Sequence, residues 1–189
     1  MKVFDFDNTI YDGESCVDFF LFCLLKKPSL IKYAPLVIRM AILYKLHKLP
    51  IEKLNEVANK LMRLVVENKE NADSFIRDFW RANKKKLRKD FLKLIDSEDV
   101  IISASPRLLL EGIKDYFNTN NVYGTEVDLD GNEGPFICYG MNKLKYLESI
   151  YPDLHIDAVY TDSYSDLPLI NRADKAYMVK KNKIRRIKR

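Results

Sequence analysis

A chain of 189 residues, 47% hydrophobic and 31% charged, is sized for one globular core or a core with a small companion, and excludes a fibrous or wholly disordered protein. Six glycines and seven prolines exclude long flexible linkers, while three cysteines (Cys16, Cys23, Cys138) show neither disulfide parity nor metal-ligand spacing and point to a reduced, cytoplasmic protein. The net charge of +5 is uneven: no acid falls between Asp18 and Glu52, where Lys26, Lys27, Lys32, Arg39, Lys45 and Lys48 lie, and the last ten residues, KKNKIRRIKR, hold seven Lys and Arg. Such runs suit an anionic partner or a solvated face with a frayed tail.

KVFDF (2–6) predicts a short buried strand at the start of the chain, with no secretory leader. Residues 15–47 read as helices broken near Pro28, 49–67 as an amphipathic helix, and 71–95 as two further helical pieces. FFLFCLL (19–25) and APLVIRMAILYKL (34–46) are apolar, but neither reaches the roughly 20 residues a membrane span needs. Packing of these helices on each other is the favoured reading, and an interfacial amphipathic helix the alternative. From residue 100 the texture changes. VIIS (100–103) is a β-branched strand. Ser105 and Pro106 form an N-cap and N1 pair for a helix over 105–117. Residues 121–140, with a DG turn, suggest a small hairpin. A helix over 141–151, a strand over 158–162, a short helix over 166–173 and a strand over 175–180 complete the pattern. Strands alternating with helices argue for a parallel α/β sheet with right-handed crossovers, interrupted after its first strand by a helical block.

Two acids at spacing two, Asp5 and Asp7, would face the same way on a strand, where like charges repel and each pays for desolvation. Ligands of open α/β sheets bind beyond the carboxyl ends of the strands. That rule gathers Asp5 and Asp7, Ser103, Asp162 with Asp166, and Lys143 on one rim. Four acids around one point call for a cation, and an all-oxygen ligand set favours Mg²⁺. Lys143 and the helix start near Pro106 add positive potential for an anion. The chemistry this supports is phosphoryl transfer to a carboxylate nucleophile.

DFDNT (5–9), IISAS (101–105), Lys143 and TDSYSDLP (161–168) resemble, in order, the four motifs of the haloacid dehalogenase superfamily, and their details are similar to its phosphoserine-phosphatase-like branch. GPFICYGMNKLKYL resembles the flap that leads into the third-motif helix. The resemblance implies a Rossmann-like catalytic core over 1–14 and 86–189, an all-helical cap over 15–85 and a small β-hairpin flap. It implies Asp5 as the nucleophile that carries an aspartyl-phosphate and Asp7 as general acid and then base. Asp5, Asp7 through its carbonyl, and Asp162 would hold Mg²⁺, with Asp166 in or just behind that shell. Ser103 and Lys143 would bind the phosphoryl oxygens with backbone amides around Asn8 and Ala104, and Thr9 would fix the loop by a local hydrogen bond. Asn8 and Thr161 depart from the family pattern, which often has glycine at both places.

A cap over the site excludes water and selects substrates. Glu14 lies nine residues after Asp5, a spacing at which phosphoserine phosphatases place a glutamate on the substrate amine. Arg39 and Arg63 are the candidates for the arginine that those enzymes set against the substrate carboxylate. The basic and apolar cap also suits a sugar phosphate, a nucleotide or a lipid headgroup. The expected partner is therefore a small phosphorylated substrate, with the membrane surface less favoured. Two readings compete: a phosphotransferase on the same residues, and a nucleic-acid-binding module using the basic runs, which lack interleaved aromatic stacking platforms.

Overall fold

The computed structural model describes residues 1–46, 53, 56, 63, 69–127 and 136–188. Within them, β1 (Lys2–Phe4), β2 (Val100–Pro106), β3 (Val122–Thr125), β4 (Ala158–Thr161), β5 (Lys175–Lys180) and β6 (Lys183–Lys188) form a sheet ordered β3-β2-β1-β4-β5-β6. All neighbours pair in parallel except β5 with β6. Side chains alternate across a strand, so Phe4 and Ile101 enter one apolar cluster while Val3, Val100 and Ile102 enter a second on the other face. The register sets Phe4, Tyr160 and Tyr177 side by side. Their rings stack at 4.7 and 4.8 Å between centroids, a cross-strand ladder that ties the middle of the sheet together.

The helices cover both faces. α1 (Ser15–Lys26) and α2 (Ala34–Lys45) are separated by a 3₁₀ segment at Pro28–Tyr33, the break that proline dictates. α3 (Lys69–Asn83) is followed by a 3₁₀ turn at Lys84–Lys86 and by α4 (Lys89–Leu92), matching the two pieces read from sequence. Phe19, Cys23, Ile76, Phe79 and Trp80 join the cluster on the Phe4 face. Gly112 is required there, because a Cβ on it would lie 2.2 Å from Ile76 Cγ2. α5 (Arg107–Glu111) follows β2. α6 (Met141–Ile150) and α7 (Leu167–Arg172) cover the other face through Leu147, Leu169 and Ile170. Residues 53, 56 and 63 are helical. The rest of the helix expected over 49–67, and the DG turn of the expected hairpin, lie outside the described residues. Of that hairpin, β3 and the bond from Glu126 N–H to Phe136 O, 3.1 Å, are described.

Three expectations are corrected. The first strand stops at Phe4, not residue 6, although Asp5 N–H still donates to Tyr160 O at 2.9 Å. Ser105 and Pro106 do not cap a helix over 105–117. β2 runs on to Pro106, the helix spans only Arg107–Glu111, and a 3₁₀ turn follows at Lys114–Tyr116. The Ser105 hydroxyl is claimed by Asp7 instead, at 2.6 Å. The C-terminal run is not a frayed tail. Lys181, at φ 57°, turns the chain, and Lys183–Lys188 pair antiparallel with β5. Lys188 Nζ then donates to the carbonyls of Ile170, Asn171 and Ala173 at the end of α7, where the helix dipole favours a cation.

Candidate active site

The loop after β1 is folded around Phe6. Its ring is fully buried against Tyr11, Trp80 and Phe117, 5.7 to 6.1 Å between centroids. Sinking Phe6 leaves Asp5 and Asp7 to share the opposite side. Phe6 O accepts the amides of Thr9, Ile10 and Tyr11 at 3.2, 2.8 and 2.9 Å. Asn8 sits at φ 55°, the left-handed region that asparagine tolerates better than most side chains. It therefore serves where relatives of the resembled family often use glycine. Arg88 closes the loop from outside, donating to the carbonyls of Asn8 and Thr9 and to Asp12 Oδ1.

Lys143, in the first turn of α6, brings three elements together. Its side chain is 4% exposed, and Nζ lies 2.8 Å from Asp5 Oδ1 and 2.9 Å from Asp166 Oδ1. Thr161 at the end of β4 donates to Asp166 Oδ2 at 2.8 Å. Asp166 is 1% exposed, and its two oxygens are turned to the lysine and the threonine. Burial works against the Lys143 charge, but the carboxylates of Asp166 and Asp5 outweigh it and raise its pKa. Burial pushes the Asp5 carboxyl well above the usual range. Lys143 opposes that rise, whereas Asp166 and Asp162 add to it. Asp162 is also raised, first by burial and then by Asp166, while Asp5 opposes the rise.

Asp7 is held from two directions. Oδ1 accepts the Ser15 amide at 2.7 Å, and Oδ2 accepts the Ser105 hydroxyl at 2.6 Å, with the Ser103 hydroxyl 3.4 Å away. Ser103 Oγ accepts the Ser105 amide at 3.0 Å. The hydroxyls of Ser15 and Ser105 lie 3.0 Å apart, although 90 residues separate them in sequence. Burial raises the Asp7 carboxyl, and the Ser105 and Ser15 donors pull it back.

The predicted residues therefore divide. Asp5, Asp7, Ser103, Lys143, Asp162 and Asp166 converge. Asn8 and Thr9 belong to the same loop, with their amides spent internally on Gly13 O and Phe6 O. Thr9 Oγ1, expected to fix the loop, is buried without a hydrogen-bond partner among the described residues. Ala104 takes part through its carbonyl, which accepts the Thr125 hydroxyl at 2.7 Å. Glu14 Oε1 accepts Asn8 Nδ2 at 2.8 Å. Arg39 lies exposed on α2, and no hydrogen bond or ion pair links it to the converging residues; Arg63 is exposed. Burial pushes the Cys138 thiol up to about 12, which argues against a nucleophile there. Ser15, Ser105, Thr161 and Arg88 were not anticipated in these roles. Ser105 lay in a segment expected at the rim, but Ser15 opened the expected cap, so the sequence carried no signal for their pairing.

A family model for haloacid dehalogenase-like hydrolases matches residues 3–171. No curated protein matches the sequence. Among solved structures, a protein from Bordetella pertussis Tohama I, described as of unknown function, superposes with a TM-score of 0.76 at 15% identity, covering 90% of this chain and 85% of that one. A phosphoserine phosphohydrolase-like protein from Francisella tularensis subsp. tularensis SCHU S4 gives 0.62 at 19% identity, covering 93% and 86%. A substrate-bound phosphoserine phosphatase gives 0.53 at 13% identity, covering 92% and 82%. These likenesses share the fold seen here, and the family match runs from β1 through the Asp166 helix. Because that match covers most of the chain, the chain belongs to the haloacid dehalogenase-like hydrolase family.

Proposed function

We propose that the protein hydrolyses a phosphate monoester through an aspartyl-phosphate on Asp5, with Mg²⁺ as its cofactor. The observation that carries this reading is the Lys143 ammonium 2.8 Å from Asp5, while Asp7, two residues on, is gripped separately by Ser105 and Ser15. Two carboxylates close in sequence are thus given different surroundings, as two different tasks demand.

Asp5 attacks phosphorus, forming the Asp5–O–P bond as the bond from phosphorus to the leaving oxygen breaks. Asp7 delivers a proton to that oxygen. It then accepts a proton from water, whose oxygen displaces Asp5 from phosphorus and releases phosphate. Such proton transfer contributes roughly 10²–10⁴ in rate. Lys143 and the Ser103 hydroxyl are suited to the phosphoryl oxygens. The donor set fits a hard divalent cation, because four carboxylates, Asp5, Asp7, Asp162 and Asp166, gather around the Lys143 ammonium and leave negative charge in excess. Asp5, Asp162 and the Asp7 carbonyl would hold it, with Asp166 behind them on Lys143. When bound, the cation supplies charge neutralisation between the attacking carboxylate and the phosphate.

The segment over 15–85 is proposed as the cap. Glu14 is engaged by Asn8, and Arg39 is exposed. The proposed substrate class therefore stays at small phosphate monoesters, with phosphoserine not singled out among them. The test is hydrolysis of p-nitrophenyl phosphate with and without Mg²⁺ by the wild type and Asp5→Asn. Metal-dependent turnover that Asp5→Asn reduces to background supports the reading. Turnover retained by Asp5→Asn overturns it.

A further inference from the structure

The sequence favours cap helices whose apolar stripes pack on each other, and the structure leaves much of that apolar surface bare. Eight large apolar side chains among the described residues are at least half exposed. Six of them, Leu21, Leu25, Ile31, Ile38, Ile42 and Leu46, fall within residues 21–46. Monomeric soluble proteins scatter such residues singly, and a cluster of them marks an interaction surface. The spacing is helical. Leu21 and Leu25 are one turn apart on α1, and Ile38, Ile42 and Leu46 continue one line along and just beyond α2. These two stripes face away from the cluster that Phe19, Cys23 and Leu30 enter.

We propose that this outward face of α1, the Pro28–Tyr33 turn and α2 docks on the surface of an anionic lipid bilayer. Charge selects that occupant. Lys26, Lys32 and Arg39 are exposed among the apolar residues, and no acid occurs from residue 19 through 51. Asp78 of α3, 3.9 Å from Lys26 Nζ, offsets part of one charge. The apolar centre of a protein–protein interface is depleted of charged side chains. A two-fold pairing of this face with a second copy would set like charges against each other. A bilayer accommodates the mixture, because long basic side chains rest their stems on apolar surface and carry their heads to the phosphate level. The face lies on the membrane and does not cross it. α1 and α2 have 12 residues each, about 18 Å at 1.5 Å per residue, against a hydrocarbon core of about 30 Å. No helix among the described residues is long and apolar enough to span.

The test is co-sedimentation of the full chain with vesicles of phosphatidylcholine alone and of phosphatidylcholine with phosphatidylglycerol. The expected result is binding to the anionic vesicles that weakens with added salt, and little binding to the neutral ones. Lys32→Gln with Arg39→Gln should weaken it about 25-fold, at roughly fivefold per basic residue near an anionic surface. Ile38→Ser with Ile42→Ser should abolish it while circular dichroism stays as in the wild type and the unfolding midpoint shifts only by the small amount expected of exposed positions. Absence of wild-type binding to anionic vesicles overturns the proposal, and so does equal binding by the serine variant. A wild-type dimer in light scattering that the serine variant dissociates, without vesicle binding by either, reassigns the face to a second copy and also overturns it.

Discussion

The active-site rim and the outward face of residues 21–46 handle positive charge in opposite ways. At the rim, Lys143 is almost wholly enclosed and meets two carboxylates within 3 Å. On the outward face, Lys32 and Arg39 stand in solvent beside exposed isoleucines. The difference teaches what burial demands. A buried ion needs a partner with the right geometry, since an uncompensated charge in a low dielectric is costly. An exposed ion needs no partner within the chain, so its neighbours are free to suit something outside it. The rim is therefore specified from within. The composition of the face is best explained by what it meets.

The comparison breaks most visibly if the enclosed charge is removed. Lys143→Met leaves Asp5 and Asp166 facing each other without their ammonium, and should lower stability by about 3–5 kcal/mol in denaturant unfolding. A smaller loss would mean that protonation of the carboxylates relieves the site unaided. Next in size is Ser105→Ala. It takes the 2.6 Å donor from Asp7 Oδ2 and leaves the Ser15 amide on Oδ1. The expected cost is about 1–3 kcal/mol, with a fall in phosphatase turnover. Unchanged turnover would show that the Ser15 amide suffices to orient Asp7.

A subtler effect comes from the thiols. Burial raises Cys23 and Cys138 to about 12, against about 8.5 in an unfolded chain. A raised folded-state pKa on a thiol stabilises the fold fully below the unfolded value and loses that contribution as pH climbs toward 12. Each thiol should steepen the loss of stability above about pH 8.5 by up to about 1.4 kcal/mol per pH unit. Cys138→Ala should show a shallower slope than the wild type in unfolding midpoints across that range, and an equal slope would place the thiol in contact with water. Smallest of all, the paired serine substitutions at Ile38 and Ile42 should shift stability by no more than about 0.5 kcal/mol each, as expected of exposed positions. A larger cost would mean that the face is internally packed, and would blur its distinction from the rim.

Much of the rim was readable before any coordinates. Strand ends and paired acids obey local rules, and the positions of Asp5, Asp7, Ser103, Lys143, Asp162 and Asp166 follow from them. What was not readable depends on distant neighbours. Ser105 and Pro106 have the local grammar of a helix start. Asp7 arrives from 98 residues away and claims the hydroxyl, and the strand continues. Ser15 enters the same web for the same reason. Thr161 departs from the glycine common in the family pattern, and only the fold shows that its hydroxyl is taken by Asp166. β6 was hidden by composition. Ile184 and Ile187 break strict alternation, and a ten-residue stretch with seven basic side chains reads as tail rather than edge strand. The exposure of Ile38 and Ile42 was unreadable in principle, since an apolar stripe does not say whether anything covers it.

One feature of the loop around Phe6 bears on how the chain is assembled. Asp12 N–H donates to Lys86 O and Arg88 N–H to Ile10 O, at 2.9 and 2.8 Å, with Tyr11 and Leu87 bridged between them. Arg88 binds three further acceptors across the same seam. The chain thus leaves and returns through a single doorway one strand-spacing wide. Whatever lies between residues 12 and 86 is a detour with coincident ends. Its exchange for another module would need no rerouting of the sheet, provided the new module again covers the Phe4 face where Phe79 and Trp80 now pack. The entropy of closing that detour grows only as the logarithm of its length. The doorway is therefore a graft point with a condition attached: Ser15, just inside it, holds Asp7, and Trp80, just before the return, packs on Phe6, so an exchange has to keep both ends of the excursion.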